Sequence, residues 1–364
     1  MPRSPRSARP GTTTIHDVAL RAGVSVATVS RVLNGKAVVR EETERQVLEA
    51  AKALRYVPNV AARSLSSRRS QTIGVVLPDV HGEFFSEVIR GVDLAARAKG
   101  YHILVSGSHS DLGEMLDVLE TMHGRVDGLV VMAPEVEIAA LHLSLPPGLP
   151  LVLLNSIDPE RDAITIDNYG GAQAMVRHLA ELGHERIAFI KGPRQNADAR
   201  ERLRGYRDAM GEEGRPTSPA LELEGDFTED SGSAAAEHLL LAKPRPTAIF
   251  AANDSMAVGA LAALAAAGVS VPGEMSVAGF DDIPIARYVT PPLTTIRVDI
   301  ADLGRRAFGL LFDAIEQPLA PAPRRDCIKT TLVARGSCRS PHPSKKTRPR
   351  PDRELRGRRK GEES

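Results

Sequence analysis

The sequence predicts a small all-α domain at the N-terminus followed by an α/β body of doubly wound parallel sheets. Three observations predict this. Residues 14–34 pattern as helix, tight turn and helix; from Thr72 onward short apolar runs alternate with amphipathic stretches; and basic ends flank an acidic centre. A chain of 364 residues has room for one small and two medium domains, at roughly 100–150 residues each.

The segment TIHDVALRAGVSVATVSRVLN opens with Thr14 and, three residues on, Asp17, a capping-box-like start. Gly23 supplies the left-handed conformation that ends the first helix. Ser25 caps the second, whose apolar side is Val29, Val32 and Leu33, while Val26, Ala27, Ser30 and Arg31 face outward. A short helix with small residues at its start and an arginine one turn later fits a DNA major groove, the geometry of a helix-turn-helix. After a turn at Asn34-Gly35, Glu41 to Leu54 forms a third helix with acids in its first turn. Its Val47, Leu48, Ala51 and Leu54 are expected to close a core with Ile15, Val18, Val24 and Val32. Pro58 breaks the chain, Asn59 caps about two turns of helix to Leu65, and the polar Ser66 to Ser70 is a linker, so a domain boundary belongs near residue 70.

Beyond it, strands are expected at Ile73–Leu77, His102–Ser106, Gly128–Met132, Leu151–Leu154, Ile187–Ile190, Ala248–Ala251 and Ser276–Phe280. Helices are expected at Phe84–Ala98, Gly171–Leu182, Arg202–Glu212, Gly232–Leu241 and Ser255–Ala267. Apolar strands separated by helices imply parallel sheets covered on both faces. Ligands in such sheets bind beyond the carboxyl ends of strands, here Asp79 to Phe85, Asn155, Asp167, Gly192 to Asp198, Asn253-Asp254 and Asp281-Asp282.

Net charge is +1, but residues 1–70 hold 13 Lys/Arg against 5 Asp/Glu, residues 335–364 hold 11 against 4, and 71–334 carry 23 against 37. Basic ends on an acidic body suit a chain that presents its ends to a polyanion. No run reaches the ~20 apolar residues of a membrane span, and no apolar stretch follows Arg3, Arg6 and Arg9 as a secretory signal requires, so a cytoplasmic protein is expected. The two cysteines, Cys327 and Cys338, have no metal-ligand spacing; no metal or cofactor is expected. Catalytic signatures are missing: no G-x-S-x-G elbow, phosphate loop or H-E-x-x-H pair occurs. His184, the most tempting lone histidine, sits between a helix and a strand, where a turn or cap role is the natural one. An enzyme is not expected. From residue 337 a proline-studded basic tail is expected to be disordered.

Together the blocks TIHDVALRAGVSVATVSRVLN, YVPNVAARSL, IGVVLPD, TIDNYGGA, LGHERIAFIKGP, PTAIFAANDSMAVGAL, VPGEMSVAGFDDI and PPLTTIRVD resemble the LacI/GalR (lac repressor and purine repressor) family of bacterial transcription factors, from about Thr13 to Ser337. The resemblance implies a helix-turn-helix domain at 13–58, a hinge helix and linker at 59–70, and a periplasmic-binding-protein-like body at 71–336 made of two doubly wound subdomains. Carried onto this chain these are about 71–165 plus 296–322, and 166–293 plus 325–336. It further implies a homodimer that binds near-palindromic duplex DNA as a repressor and is controlled by a small effector between the subdomains. DNA-binding positions are then Thr14, Ser25, Val26, Ala27, Thr28, Ser30, Arg31 and Asn34, with Asn59, Ala62, Arg63 and Leu65 in the hinge. Arg31 is the main candidate for base readout, a phosphate contact being its alternative; Leu65 matches the leucine that enters the minor groove. The effector ring maps to Phe84, Phe85, Asp167, Asn196, Asp198, Arg202, Phe227, Asn253 and Asp281. For Phe85 a core position, for Asn253 a helix cap and for Asp281 a strand end are the alternatives. Carboxylates, an arginine fork and aromatic faces suit a neutral sugar. Asn196 and Asp198 stand where the purine repressor has ligand-contacting arginine and threonine, which counts against a purine. A transporter's solute-binding component shares the body, but not the N-terminal helices.

Overall fold

The computed structural model describes residues 13–34, 39–56, 69–135, 148–215, 217–317 and 322–341. The hinge positions Asn59, Ala62, Arg63 and Leu65 and the basic segment from residue 342 lie outside these, as does Gly35.

The N-terminal unit is α1 (Ile15–Ala22), α2 (Val26–Asn34) and α3 (Glu41–Ala53). Thr14 and Asp17 form the reciprocal capping box, and Gly23 ends α1 at φ 65°, a left-handed conformation that costs a glycine nothing. Ser25 Oγ accepts from the Thr28 amide at 3.1 Å. The core is Val18, Ala19, Val29, Val47, Ala50 and Ala51, with Ile15, Val24, Val32 and Leu54 at its margin. Leu48 departs from expectation. It is 49 % exposed, because it lies about 100° around α3 from Val47, and Ala50 takes the inward position instead. Val26, expected to face outward, is half-buried against the same core, since helical side chains lean back over the preceding turn.

The body contains two six-stranded sheets. The first comprises β1 (Thr72–Leu77), β2 (His102–Gly107), β3 (Leu129–Met132), β4 (Leu151–Leu154), β5 (Asp162–Ile166) and β11 (Arg325–Ile328), in the order β11-β5-β4-β3-β1-β2 and parallel throughout. The second comprises β6 (Ile187–Ile190), β7 (Glu222–Leu223), β8 (Ala248–Ala251), β9 (Ser276–Asp281), β10 (Thr294–Arg297) and β12 (Thr331–Val333), in the order β12-β10-β9-β8-β6-β7. Among the described residues, only the β10–β12 pair is antiparallel. Central strands β3, β4, β6, β8 and β9 are wholly buried, as near-continuous apolar runs in two-sided sheets must be. Against them pack α4 (Glu83–Ala98), α5 (Leu112–Met122) and α10 (Ile300–Glu316) on the first sheet, and α6 (Asn168–Glu181), α7 (Ala197–Glu212), α8 (Glu229–Leu241) and α9 (Asp254–Ala266) on the second.

Among the described residues the chain passes from one sheet to the other three times, after β5, after β10 and between β11 and β12. This corrects the expected subdomain limits. Arg325–Ile328 was assigned to the second subdomain, yet it pairs with β5 from Arg325↔Ala163 to Ile328↔Ile166; Thr294–Arg297 belongs to the second sheet through β9. A second correction concerns the tail. Ser337 is fully buried: its Oγ donates to Val277 O at 2.5 Å and its carbonyl accepts from Val277 N at 2.9 Å. Arg339 N donates to Ser276 Oγ at 3.1 Å. Order therefore continues past 336, as this segment satisfies the outer backbone groups of β9.

Candidate functional site

Helix and strand ends of both subdomains meet around a cavity of about 430 Å³. Eight of the nine expected effector positions line it: Phe84, Phe85, Asn196, Asp198, Arg202, Phe227, Asn253 and Asp281. Asp167 does not. It caps α6 through Gly170 N at 3.1 Å, while its backbone joins Ile328 and Thr330 and its carboxylate lies 3.6 Å from Lys329. It fastens two of the crossing strands, so its position in the chain places it beside the cleft and its hydrogen bonds hold it outside.

Arg202, 3 % exposed, is the centre of the floor. Its Nε donates to Asn168 Oδ1 at 2.7 Å and Nη1 to Ala252 O at 2.6 Å. Nη2 lies 3.0 Å from Asp281 Oδ1, and the guanidinium stacks over the Phe280 ring at 3.9 Å. Asp281 ends β9 with φ 107°, a strained conformation that aims its carboxylate inward. Burial raises its pKa to about 6 in spite of Arg202. Asp198, one turn ahead of Arg202 on α7, accepts from Asn155 Nδ2 and Asn168 Nδ2, both at 2.7 Å. Burial, then the Asp281 and Glu135 carboxylates, raise it to about 7 against the pull of Arg202. Asp254 behind them is raised well above the carboxylate range, chiefly by burial and then by Asp281, with Thr295 Oγ1 donating to it at 2.6 Å.

Two of the expected cleft residues also cap helices, and for Asn253 both of its alternatives hold. Asn196 Oδ1 caps α7 through Ala199 N at 3.0 Å, and its Nδ2 donates to Glu135 at 2.6 Å. Asn253 Oδ1 caps α9 through Met256 N at 2.9 Å, and its Nδ2 holds Phe227 O at 3.0 Å. Phe227, at φ 74°, lies so close over Gly192 that a Cβ there would stand 2.5 Å from the ring. Phe84 and Phe85 meet edge to face, centroids 5.6 Å apart; both line the cavity while resting on the core, so Phe85 fills both of its alternative roles.

Asn155 after β4, expected among the strand carboxyl ends, lines the cavity, and so does Glu135 after β3, which the sequence reading does not name. Glu135 also stands beyond a strand's carboxyl end, and the same signal applied to β3 finds it. Three side-chain oxygens of lining residues, Glu135 Oε2, Asn155 Oδ1 and Asp281 Oδ1, are sealed from the cavity by their neighbours and have no well-aligned hydrogen-bond donor among the described residues. All three are acceptors. Arg202 Nη2 forms an ion pair with the last at 3.0 Å.

On the N-terminal unit, Ala27 and Arg31 are exposed on α2, with Thr28 and Ser30 half-buried beside them. Thr14, Ser25 and Thr28 serve the helix starts: Ser25 Oγ and Thr28 Oγ1 are 2.9 Å apart. His184 is buried, with Nδ1 2.9 Å from Thr247 Oγ1. Burial lowers its pKa to about 4, which leaves a neutral ring in a structural position. No described helix is long and apolar enough to cross a membrane.

Residues 14–59 match the model of bacterial regulatory proteins of the lacI family, and 176–338 that of a periplasmic binding protein-like domain. The chain is 37 % identical to the ribose operon repressor of Escherichia coli (strain K12) over 328 residues, 89 % of this chain and 99 % of that protein. Among solved structures, the lac repressor dimer bound to operator and the anti-inducer ONPF aligns with TM-score 0.82 and 30 % identity, over 90 % of this chain and all of that one. The complex of transcriptional regulator CelR with cellobiose aligns with TM-score 0.68 and 32 % identity over the same shares. With the helix-turn-helix, the two-sheet body and this identity along nearly its whole length, the chain belongs to the lacI family of bacterial regulatory proteins and is a DNA-binding transcriptional regulator.

Proposed function

We propose that the chain acts in the cytoplasm as a homodimeric repressor on a near-palindromic operator, and that a neutral sugar in the cleft controls it. The observation that carries the sugar is the cavity lining, in which Glu135, Asn155, Asn196, Asp198, Asn253 and Asp281 stand around a single arginine. Carboxylates and amides of this kind exchange hydrogen bonds with adjacent hydroxyls without bringing further charge into the site. An anion would instead meet Glu135, Asp198 and Asp281 with one arginine, already shared with Asp281. Phe84, Phe85 and Phe227 offer apolar faces to a ring. The CelR complex holds cellobiose, which agrees in chemistry.

On the DNA side, Arg31 reads a base edge from the exposed face of α2, and Ala27 closes against the groove. Asn59, Ala62, Arg63 and Leu65 form the hinge, with Leu65 entering the minor groove; this part rests on the sequence match. Footprinting and calorimetry test the two halves. Expected are a protected near-palindrome bound by a dimer, and heat of binding from at least one of D-ribose, D-galactose, D-glucose or cellobiose. Binding confined to hypoxanthine or ribose 5-phosphate overturns the sugar; occupancy of one half-site by monomers overturns the dimeric operator complex.

A further inference from the structure

Asn168 begins α6 directly after the first crossing between the sheets, and it does not line the cavity. It is nonetheless buried, and its amide is spent on the cleft floor. Oδ1 accepts from Arg202 Nε at 2.7 Å, while Nδ2 donates to Asp198 Oδ1 at 2.7 Å and to Ile166 O at 3.3 Å. A guanidinium only donates and an ionised carboxylate only accepts, so a single placing of the amide oxygen and nitrogen satisfies both neighbours. Asp198 and Arg202 are four residues apart on α7, a spacing at which an aspartate and an arginine pair directly. Here the amide stands between them, and each charge is used elsewhere. Asp198 Oδ2 accepts from Asn155 of the first subdomain, and Arg202 Nη1 and Nη2 hold Ala252 O and Asp281.

We infer that Asn168 is a positioning residue of the effector site, an amide spacer that keeps Arg202 and Asp198 from pairing with each other and so holds the guanidinium on Asp281 and the carboxylate on Asn155. The inference rests on the sugar reading for its ligand and goes beyond it by naming a residue outside the cavity wall that sets the aim of two residues on it. Without the amide, Arg202 Nε and one Asp198 oxygen lose their partners in a buried place. Opposite charges in a weakly screening interior then draw together. The guanidinium turns away from Asp281 and the carboxylate from Asn155, and a sugar meets a misplaced fork. The charge state of Asp198 follows this geometry. Around it stand Arg202 on its own helix, Asp281 at the end of β9, Glu135 beyond β3 and the amides of Asn155 and Asn168. Burial and the two carboxylates hold it up at about 7 against Arg202, and direct pairing with Arg202 would lower it.

Two measurements on the full chain test this: calorimetry with whichever of D-ribose, D-galactose, D-glucose and cellobiose binds wild type, and urea unfolding without ligand between pH 4.5 and 8. Asn168→Ala is expected to weaken the sugar by about tenfold or more, the worth of one hydrogen bond to a charged group. Its unfolding profile is expected to be flatter than that of wild type, because a carboxyl paired with Arg202 no longer holds a proton that the unfolded chain releases. Asn168→Asp keeps an acceptor for Arg202 Nε and sets a second carboxyl against Asp198. The two then share one proton, which restores a donor between them. Sugar affinity within about threefold of wild type is expected at pH 5.5, with a loss steeper than that of wild type as pH rises to 8.5. A residue that merely stabilised the fold would lower the thermal midpoint and leave both pH profiles parallel to those of wild type. If Asn168→Ala does not fold, the pH dependence of Asn168→Asp decides alone. Parallel profiles, or unchanged sugar affinity in Asn168→Ala, overturn the inference while leaving the sugar reading intact. Silence of every sugar with binding of hypoxanthine or ribose 5-phosphate overturns the sugar reading, and the unfolding profiles then judge Asn168 by themselves.

Discussion

Replacing Arg202 by alanine separates its structural from its binding role. The guanidinium satisfies Asn168 Oδ1 and Ala252 O, stacks on Phe280 and neutralises Asp281. Two buried acceptors that lose their donor cost about 1–3 kcal/mol each; the side facing the cavity admits water, which favours the lower end. The stack adds about 0.5–2 kcal/mol. The Asp281 contribution is small for a specific reason. Its pKa already stands at about 6, so without Arg202 the carboxyl protonates at pH 7, and the further penalty is capped near one pKa unit, about 1.4 kcal/mol. The sum is on the order of 4–6 kcal/mol, severe but within the 5–15 kcal/mol of a typical domain. At about 2–4 °C per kcal/mol for a body of this size, a fall of roughly 8–24 °C in thermal midpoint is expected, with loss of sugar binding. Scanning calorimetry of Arg202→Ala, Asp281→Asn and the double variant reads it. The double variant is expected to recover about 1 kcal/mol relative to additivity and no sugar affinity. A midpoint within 2 °C of wild type, or strict additivity of the two changes, would refute the reasoning.

Asp198 predicts a pH dependence. Its pKa is raised by burial from 3.8 to about 7, so the folded chain holds a proton that the unfolded chain releases, and its contribution to stability falls as pH rises from about 4 to 7; Asp198→Asn is expected to flatten that part of the profile, measured by urea unfolding between pH 4.5 and 8, and an unaltered slope would contradict the assignment. His184 acts in the opposite sense: burial lowers its pKa to about 4, so its stabilising effect is present above 6.5 and is lost as pH falls, which is why the comparison with the Asp198 variant, and not the raw slope, is decisive. Gly259→Ala is expected to unfold the α8–α9 contact, since a Cβ at Gly259 stands 1.8 Å from Glu229 O; overpacking of this kind costs about 1–3 kcal/mol or more, and an unshifted melting curve would show that the helices move apart freely. Arg31→Ala is expected to lower affinity for the specific operator by about 1–3 kcal/mol with little change on random duplex, and equal losses on both in a gel shift would reassign Arg31 to a phosphate.

How much of this was legible in the sequence follows from the range of the interactions involved. The caps at Thr14 and Ser25 and the break at Gly23 are local, and local chemistry determines them. So are Asn196 and Asn253, yet their helices, like α6 and α8, were expected to begin late or without the cap's full meaning. Polar first turns such as Ala197 to Glu201 and Glu229 to Ser231 carry no apolar period to mark them as helix. The alternatives of cap and cleft residue for Asn253 arose from treating the side chain as having one use. An asparagine cap spends its oxygen on the helix and keeps two N–H donors, and at the end of a helix aimed into a cleft those donors organise the cleft: Nδ2 of Asn253 fixes Phe227, and Nδ2 of Asn196 takes Glu135. An aspartate cap has no such donors, and Asp167 stays with the crossing strands. What lay beyond local reading is the pairing of Glu135 and Asn155, whose partners on α7 come from the other subdomain, 61 and 43 residues away. The same limit applies to β11 and β12, neighbours in sequence that enter different sheets. Nothing within 325–333 distinguishes them; what divides them is the crossing at Lys329-Thr330, where Asp167 binds the chain. The contacts that join the two subdomains at the cleft are therefore encoded in pairs of residues, each unremarkable alone, whose meaning depends on which sheet the chain has entered.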